Sequence, residues 1–183
     1  MTTTQALEVL KKHTTKPNLI KHAIAVSAAM RHFAKLENEE AEFWATVGIL
    51  HDIDFELYPE KHCHKSVELL KKEGLCEKTI RAIQSHGFEI CSDVEPVHYM
   101  EKVLCAVDQL TGFIIACALV RPEKKLEFVD MDSIKKKWGK KDFAAGTNRA
   151  RIERMCERMG KSFEHVAQET LTALQAAASE LGL

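Results

Sequence analysis

Along most of the chain apolar residues return every three or four positions, with Thr or Pro at the starts of the segments and Gly at their stops. That is the periodicity of amphipathic helices, and strand-like alternation is nearly absent. The pattern predicts an all-α fold, a compact multi-helix bundle. A short helix is expected over about residues 3–13 and a second from Pro17, with Ile20, Ile24, Ser27, Met30 and Phe33 facing inward and His22 beside that stripe. A third is expected from about Glu39 through Ile49, turning Phe43, Val47 and Leu50 inward and delivering His51 and Asp52 at its end. After the loop FELYPE come helices over 62–73, stopped by Gly74, and from Glu77 to His86, stopped by Gly87. Pro96 is expected to open a long apolar helix reaching Val120, which Arg121 and Pro122 end. Two or three amphipathic helices follow a looped stretch near LEFVDMD.

Length and composition predict one domain. At 183 residues, 45% hydrophobic and 29% charged, with 8 Gly and 4 Pro, the chain can bury one sizeable core, and nothing in its middle reads as a linker or repeat. Residues 17–120 hold the polar interruptions of interest, whereas 121–183 read as C-terminal packing helices. A net charge of −1 argues against a nucleic-acid partner, whose binding rests on many cationic contacts to phosphate. KKKWGKK at 135–141 is the local exception, readable as a solvated helix face or, with Lys124 and Lys125, as an anion-attracting patch. No secretory signal opens the chain, and the apolar run FIIACALV at 113–120 is too short to span a bilayer, so a cytoplasmic protein with no membrane partner is expected. Its six cysteines, at 63, 76, 91, 105, 117 and 156, show no CxxC spacing and are expected to be reduced.

Asp108 changes the picture, because LCAVDQLTGFIIACAL would be an ordinary buried helix without it. A carboxylate there needs a cation, a hydrogen-bond cluster or water, since an unpaired buried charge costs several kcal/mol or more. His22 and the adjacent His51 and Asp52 interrupt helical apolar faces in the same way. Taken singly, each is readable as a hydrogen-bonded core residue. Taken together, two imidazoles and two carboxylates from three helices would surround one divalent cation, with a donor set suited to Mn, Fe, Co, Ni, Zn or Mg.

The order of these residues, and the strings KHAIAV, GILHDID and AVDQLTG that carry them, resembles the HD-domain superfamily of metal-dependent phosphohydrolases. The resemblance covers residues 17–120, and the whole chain is similar to a bacterial and archaeal branch described only as predicted hydrolases. It implies an HD-type bundle with a metal site between core helices, held by His22, His51, Asp52 and Asp108. Some branches carry a second ion on further histidines, with the Asp of the pair bridging. His62 and His86 stand at suitable intervals for that role, and His64 is the alternative to His62, since residues two apart on a helix face different sides. The implied activity is hydrolysis of a phosphate ester of a small metabolite or nucleotide by a metal-activated water, with Asp52 as ligand and bridge. Asp54 is the local candidate to orient or deprotonate that water, although a loop carboxylate bonded to nearby backbone fits its position equally. Lys61, Lys65, Arg121 and Arg149 are candidate donors to a substrate phosphate. Two other readings stay open, a non-catalytic metal- or ligand-binding HD module and a di-iron oxygenase of the same fold. The remaining histidines, His13, His32, His98 and His165, are expected at the surface.

Overall fold

A computed structural model describes all 183 residues. It contains ten α-helices and no β-strand. The N-terminal half comprises α1 (Thr3–Lys11), α2 (Pro17–Leu36), α3 (Ala41–Leu50), α4 (His64–Lys72) and α5 (Glu77–Ser85). The C-terminal half comprises α6 (Tyr99–Leu119), α7 (Met131–Trp138), α8 (Arg149–Arg158), α9 (Phe163–Ala176) and the single turn α10 (Ala178–Leu181).

Local chemistry explains most of the boundaries. Thr2 caps α1 and Asp130 caps α7, each in a reciprocal capping box, while Asn148 accepts the Arg151 amide at the start of α8 and Ser162 the His165 amide at the start of α9. Pro17 occupies the first turn of α2, where its missing N–H costs nothing. Gly74 and Gly160 end α4 and α8 in the left-handed region that a side chain would strain.

Two helices form the centre. Every residue of α3 from Trp44 to Leu50 is buried. Phe43 is only partly buried, with the Lys78 ammonium 4.9 Å from its ring centre, so the expected inward trio gives way to Trp44, Val47 and Leu50 within a helix that is apolar all round. Helix α6 packs against α2, α8 and α9. Its most apolar 18-residue window has a mean hydropathy of 1.7, enough by length and composition to cross a membrane, but 61% of that window is buried inside the bundle.

The structure also moves several expected boundaries. Helix α6 starts not at Pro96 but after His98, which caps it together with Glu101; Glu101 is buried and also accepts from the Val97 and His98 amides. His62 precedes α4 instead of opening it, because Cys63 turns the chain through the left-handed region at φ 67°. Four helical segments follow residue 128 in place of two or three. His32 is not a plain surface residue, since its Nε2 lies 2.7 Å from Glu169 and ties α2 to α9.

Candidate metal centre

The site begins with a glycine. A Cβ on Gly48 would lie 2.8 Å from the Cα and 2.9 Å from the N of Ser27, so only glycine lets α3 rest directly on the backbone of α2. That approach sets the end of α3 beside His22, in the second turn of α2. His51, just past α3, keeps helical backbone angles and directs its Nδ1 to the Gly48 carbonyl at 2.8 Å. A carbonyl only accepts, so Nδ1 carries the proton and Nε2 of the neutral ring presents a lone pair.

Four donor atoms converge there. His22 Nε2 is 3.2 Å from His51 Nε2, 3.1 Å from Asp108 Oδ1 and 3.7 Å from Asp52 Oδ2. His51 Nε2 is 3.4 Å from the same Asp52 oxygen and 3.5 Å from Asp108 Oδ1. Ligands about 2.0–2.2 Å from one ion would stand about 3.3–3.6 Å apart in a tetrahedron and about 2.8–3.1 Å apart at adjacent octahedral positions. The observed separations fall in and around those ranges, so the group is close enough to hold one ion.

A second group grows from the other oxygen of Asp52. Oδ1 lies 3.4 Å from His62 Nε2 and 3.4 Å from His86 Nε2, which are 3.2 Å from each other. His86 Nδ1 donates to the Ile83 carbonyl, and His62 Nδ1 donates to Asp54 Oδ1 at 2.8 Å. Asp54 is buried, and its Oδ2 accepts the Ser66 amide at 2.8 Å. It therefore stands behind His62 and orients that ring, with one bond on each of its oxygens. His64 is exposed and takes no part. The Cys63 thiol also lies within sharing distance of His62 and His86.

Electrostatics make these groups dependent on positive charge. Three imidazoles with Nδ1 committed point Nε2 lone pairs at carboxylates and at one another, an arrangement that is repulsive unless a proton or a metal ion lies between. Burial of His51 works against its charged form, but the Asp52 and Asp108 carboxylates outweigh it and hold its pKa well above the usual imidazole value. Burial would likewise raise Asp52 and Asp108, and the facing imidazoles overcome it, holding both carboxyls well below the ordinary range. His62 is raised too, against its burial, by Asp54 and Asp52. His51 is sealed at 0% side-chain exposure, whereas His22, Asp52 and Asp108 keep 24%, 19% and 16%, so the cluster has one side open to solvent.

The candidate phosphate donors are dispersed. Lys61 is exposed just before His62, and Lys65 nearby pairs with Glu68 at 2.7 Å. Arg149 is spent on backbone: it donates to the carbonyls of Trp138, Lys140, Phe143 and Thr147, and its guanidinium packs on the rings of Phe113 and Trp138. Arg121 lies beyond the far end of α6, on the order of 20 Å along the helix axis from Asp108. A cavity of about 460 Å³ between α2 and α9, lined in part by Arg31, His32 and Lys35, shares no residue with the cluster.

Arg151, which no sequence motif marks, also takes part. Arg151 of α8 is 1% exposed and donates to the carbonyls of His86 and Cys105, so a C-terminal helix grips the backbone of a cluster histidine. In sequence it is one of four arginines between 149 and 158, with no signal to separate it from the others except its place on the apolar face with Ile152 and Met155. No family model matches this chain, and no solved structure gives a significant match.

Proposed function

We propose that the chain is a metal-dependent phosphohydrolase of the HD-domain superfamily, acting on a phosphate ester of a small metabolite or nucleotide. The observation that carries this reading is the division of Asp52, with Oδ2 in the His22, His51 and Asp108 group and Oδ1 in the His62 and His86 group. Two adjoining donor sets that share a carboxylate suit a pair of divalent ions. Two imidazoles in each set favour Mn, Fe, Co, Ni or Zn over Mg, which prefers an all-oxygen shell. Ions bound there would supply a water acidified toward neutral pH and positive charge against a phosphoryl oxygen.

The chain's own residues do the rest. Gly48, Ile83 and Asp54 fix the Nδ1 proton of His51, His86 and His62, so that each ring offers Nε2 without reorganising. Burial of His51 and Asp54 excludes water from the inner side, and the exposed edges of His22, Asp52 and Asp108 admit a substrate phosphate from the outer one. Lys61 and Lys65, on the segment that carries His62, are the candidate cations nearest that ligand in sequence.

The test is a panel of phosphomonoesters, phosphodiesters and nucleotides assayed with Mn, Co, Ni and Mg. Metal-dependent phosphate release that Asp52→Ala abolishes supports the hydrolase. Tight substrate binding without turnover supports a non-catalytic module instead. The shared Asp52 carboxylate also suits a di-iron oxygenase, and oxygen-dependent substrate loss with two irons per chain would favour that reading.

A further inference from the structure

We propose that Cys63 and Cys91 form a reversible dithiol–disulfide pair, a modification site on the second half of the histidine cluster. Both are free thiols, and their Sγ atoms stand 2.8 Å apart. A disulfide closes to about 2.05 Å, so only a small approach separates the two sulfurs from bond distance.

Gly87 gives an independent reason for the convergence. A Cβ there would lie 2.6 Å from Cys91 Sγ and closer still to Cys63 Sγ, so the sulfurs meet in the space that a side chain at 87 would fill. The Gly87 carbonyl collects the amides of Ile90, Cys91 and Ser92 at 2.9, 2.8 and 3.1 Å, folding the chain back so that Cys91 sits over it. Cys63 comes from the opposite side, held by its left-handed backbone and by Ser66 Oγ, which donates to its carbonyl at 2.7 Å. The other four cysteines show no such pairing.

Access assigns the order of reaction. Cys63 is 0% exposed, whereas Cys91 is partly exposed and lines a shallow cavity of about 340 Å³ with His64, Glu89 and Asp93. Of the two, Cys91 is the one that hydrogen peroxide, as oxidant, would meet first. The Cys91 thiolate attacks one peroxide oxygen, the O–O bond breaks, and the departing hydroxide takes a proton to leave as water, giving Cys91 sulfenic acid. Cys63 sulfur then attacks the Cys91 sulfur; the S–O bond breaks, and the Cys63 proton leaves with the hydroxide as a second water. Two thiols lose two electrons in total, peroxide is reduced to two waters, and a small dithiol reverses the step. The bond would staple the residue after His62 to the turn after His86, joining the two segments that carry those histidines.

The experiment oxidises the reduced, chelator-treated full-length protein with one equivalent of hydrogen peroxide, then counts thiols after denaturation and maps cross-links by mass spectrometry. The expected result is a fall from six thiols to four, a Cys63–Cys91 cross-link, and a Tm rise on the order of 5 °C that dithiothreitol reverses. Cys63→Ser should stop at a sulfenic acid on residue 91, trapped by dimedone, and Cys91→Ser should leave Cys63 as a thiol. Six thiols remaining in the native sequence, or cross-links scattered among the other cysteines, would overturn the proposal. No metal is present in this test, so failure of the hydrolase reading would leave its result untouched.

Discussion

Asp54 separates the two halves of the cluster at the level of a single residue. Its carboxylate touches His62 and the Ser66 amide but none of the first-group donors. Asp54→Asn should therefore weaken the second ion about 10–100-fold and leave the first unchanged, as a two-site calorimetric titration with Mn would read. Equal weakening of both ions would contradict its assignment to His62. Arg151 makes the complementary case from behind His86. In Arg151→Met the cost of burying the guanidinium disappears along with its bonds, so stability should shift by no more than about 2 kcal/mol while the second ion weakens about tenfold. Urea denaturation paired with the same titration checks both halves of that expectation. The four first-group residues were legible in sequence because polar side chains on apolar helical faces demand partners. Arg151 was not, because a buried arginine on an amphipathic helix looks like any other until its neighbours are known. The pairing of Asp54 with His62 was not legible, because it depends on which way the His62 ring faces.

At the level of elements, the site depends on how closely α3 and α2 approach. Gly48→Ala would place a methyl group against the Ser27 backbone, and backbone cannot swing aside as a flexible side chain can. The expected cost is about 1–3 kcal/mol of stability, together with weaker binding of the first ion, because His22 and His51 lie on the two helices being pushed apart. Chemical denaturation and metal titration of this variant measure the two effects; a variant as stable and as tight as the parent would contradict the packing account. The helices themselves were readable from periodicity, and α2, α3 and α6 stand close to where the pattern puts them. The failures have physical causes. Helix α3 is buried all round, so no single face marks its inward residues, and Phe43 looked as internal as Val47. Cys63 adopts a left-handed turn that its residue type does not announce, and this turn detaches His62 from α4 and aims it at Asp52. Contacts across long separations, such as Cys63 with Cys91, left no trace in the local pattern.

For the whole molecule, the cluster makes stability depend on pH in opposite senses with and without metal. In the metal-free protein His51 and His62 are raised, so the stability they contribute is complete below their unfolded value of about 6.5 and is lost as pH rises through their folded values. Asp52 and Asp108 are lowered, and their contribution is present above about 3.9 and lost only as pH falls through much lower values. Metal-free Tm should thus be highest between roughly pH 4 and 6.5 and decline on the alkaline side. An ion needs deprotonated ligands, so the Tm increment from added Mn should grow from pH 6 to pH 8. Thermal scans with chelator and with Mn across that range would show the two slopes diverging; parallel slopes would mean that the imidazoles are not the ligands. The most direct test of the central claim is anomalous diffraction from crystals grown with Mn. The account predicts a peak within about 2.0–2.3 Å of His22 Nε2, His51 Nε2, Asp52 Oδ2 and Asp108 Oδ1. A map at saturating Mn with no peak there, and with His51 Nε2 still about 3.4–3.5 Å from the Asp52 and Asp108 oxygens, would contradict it.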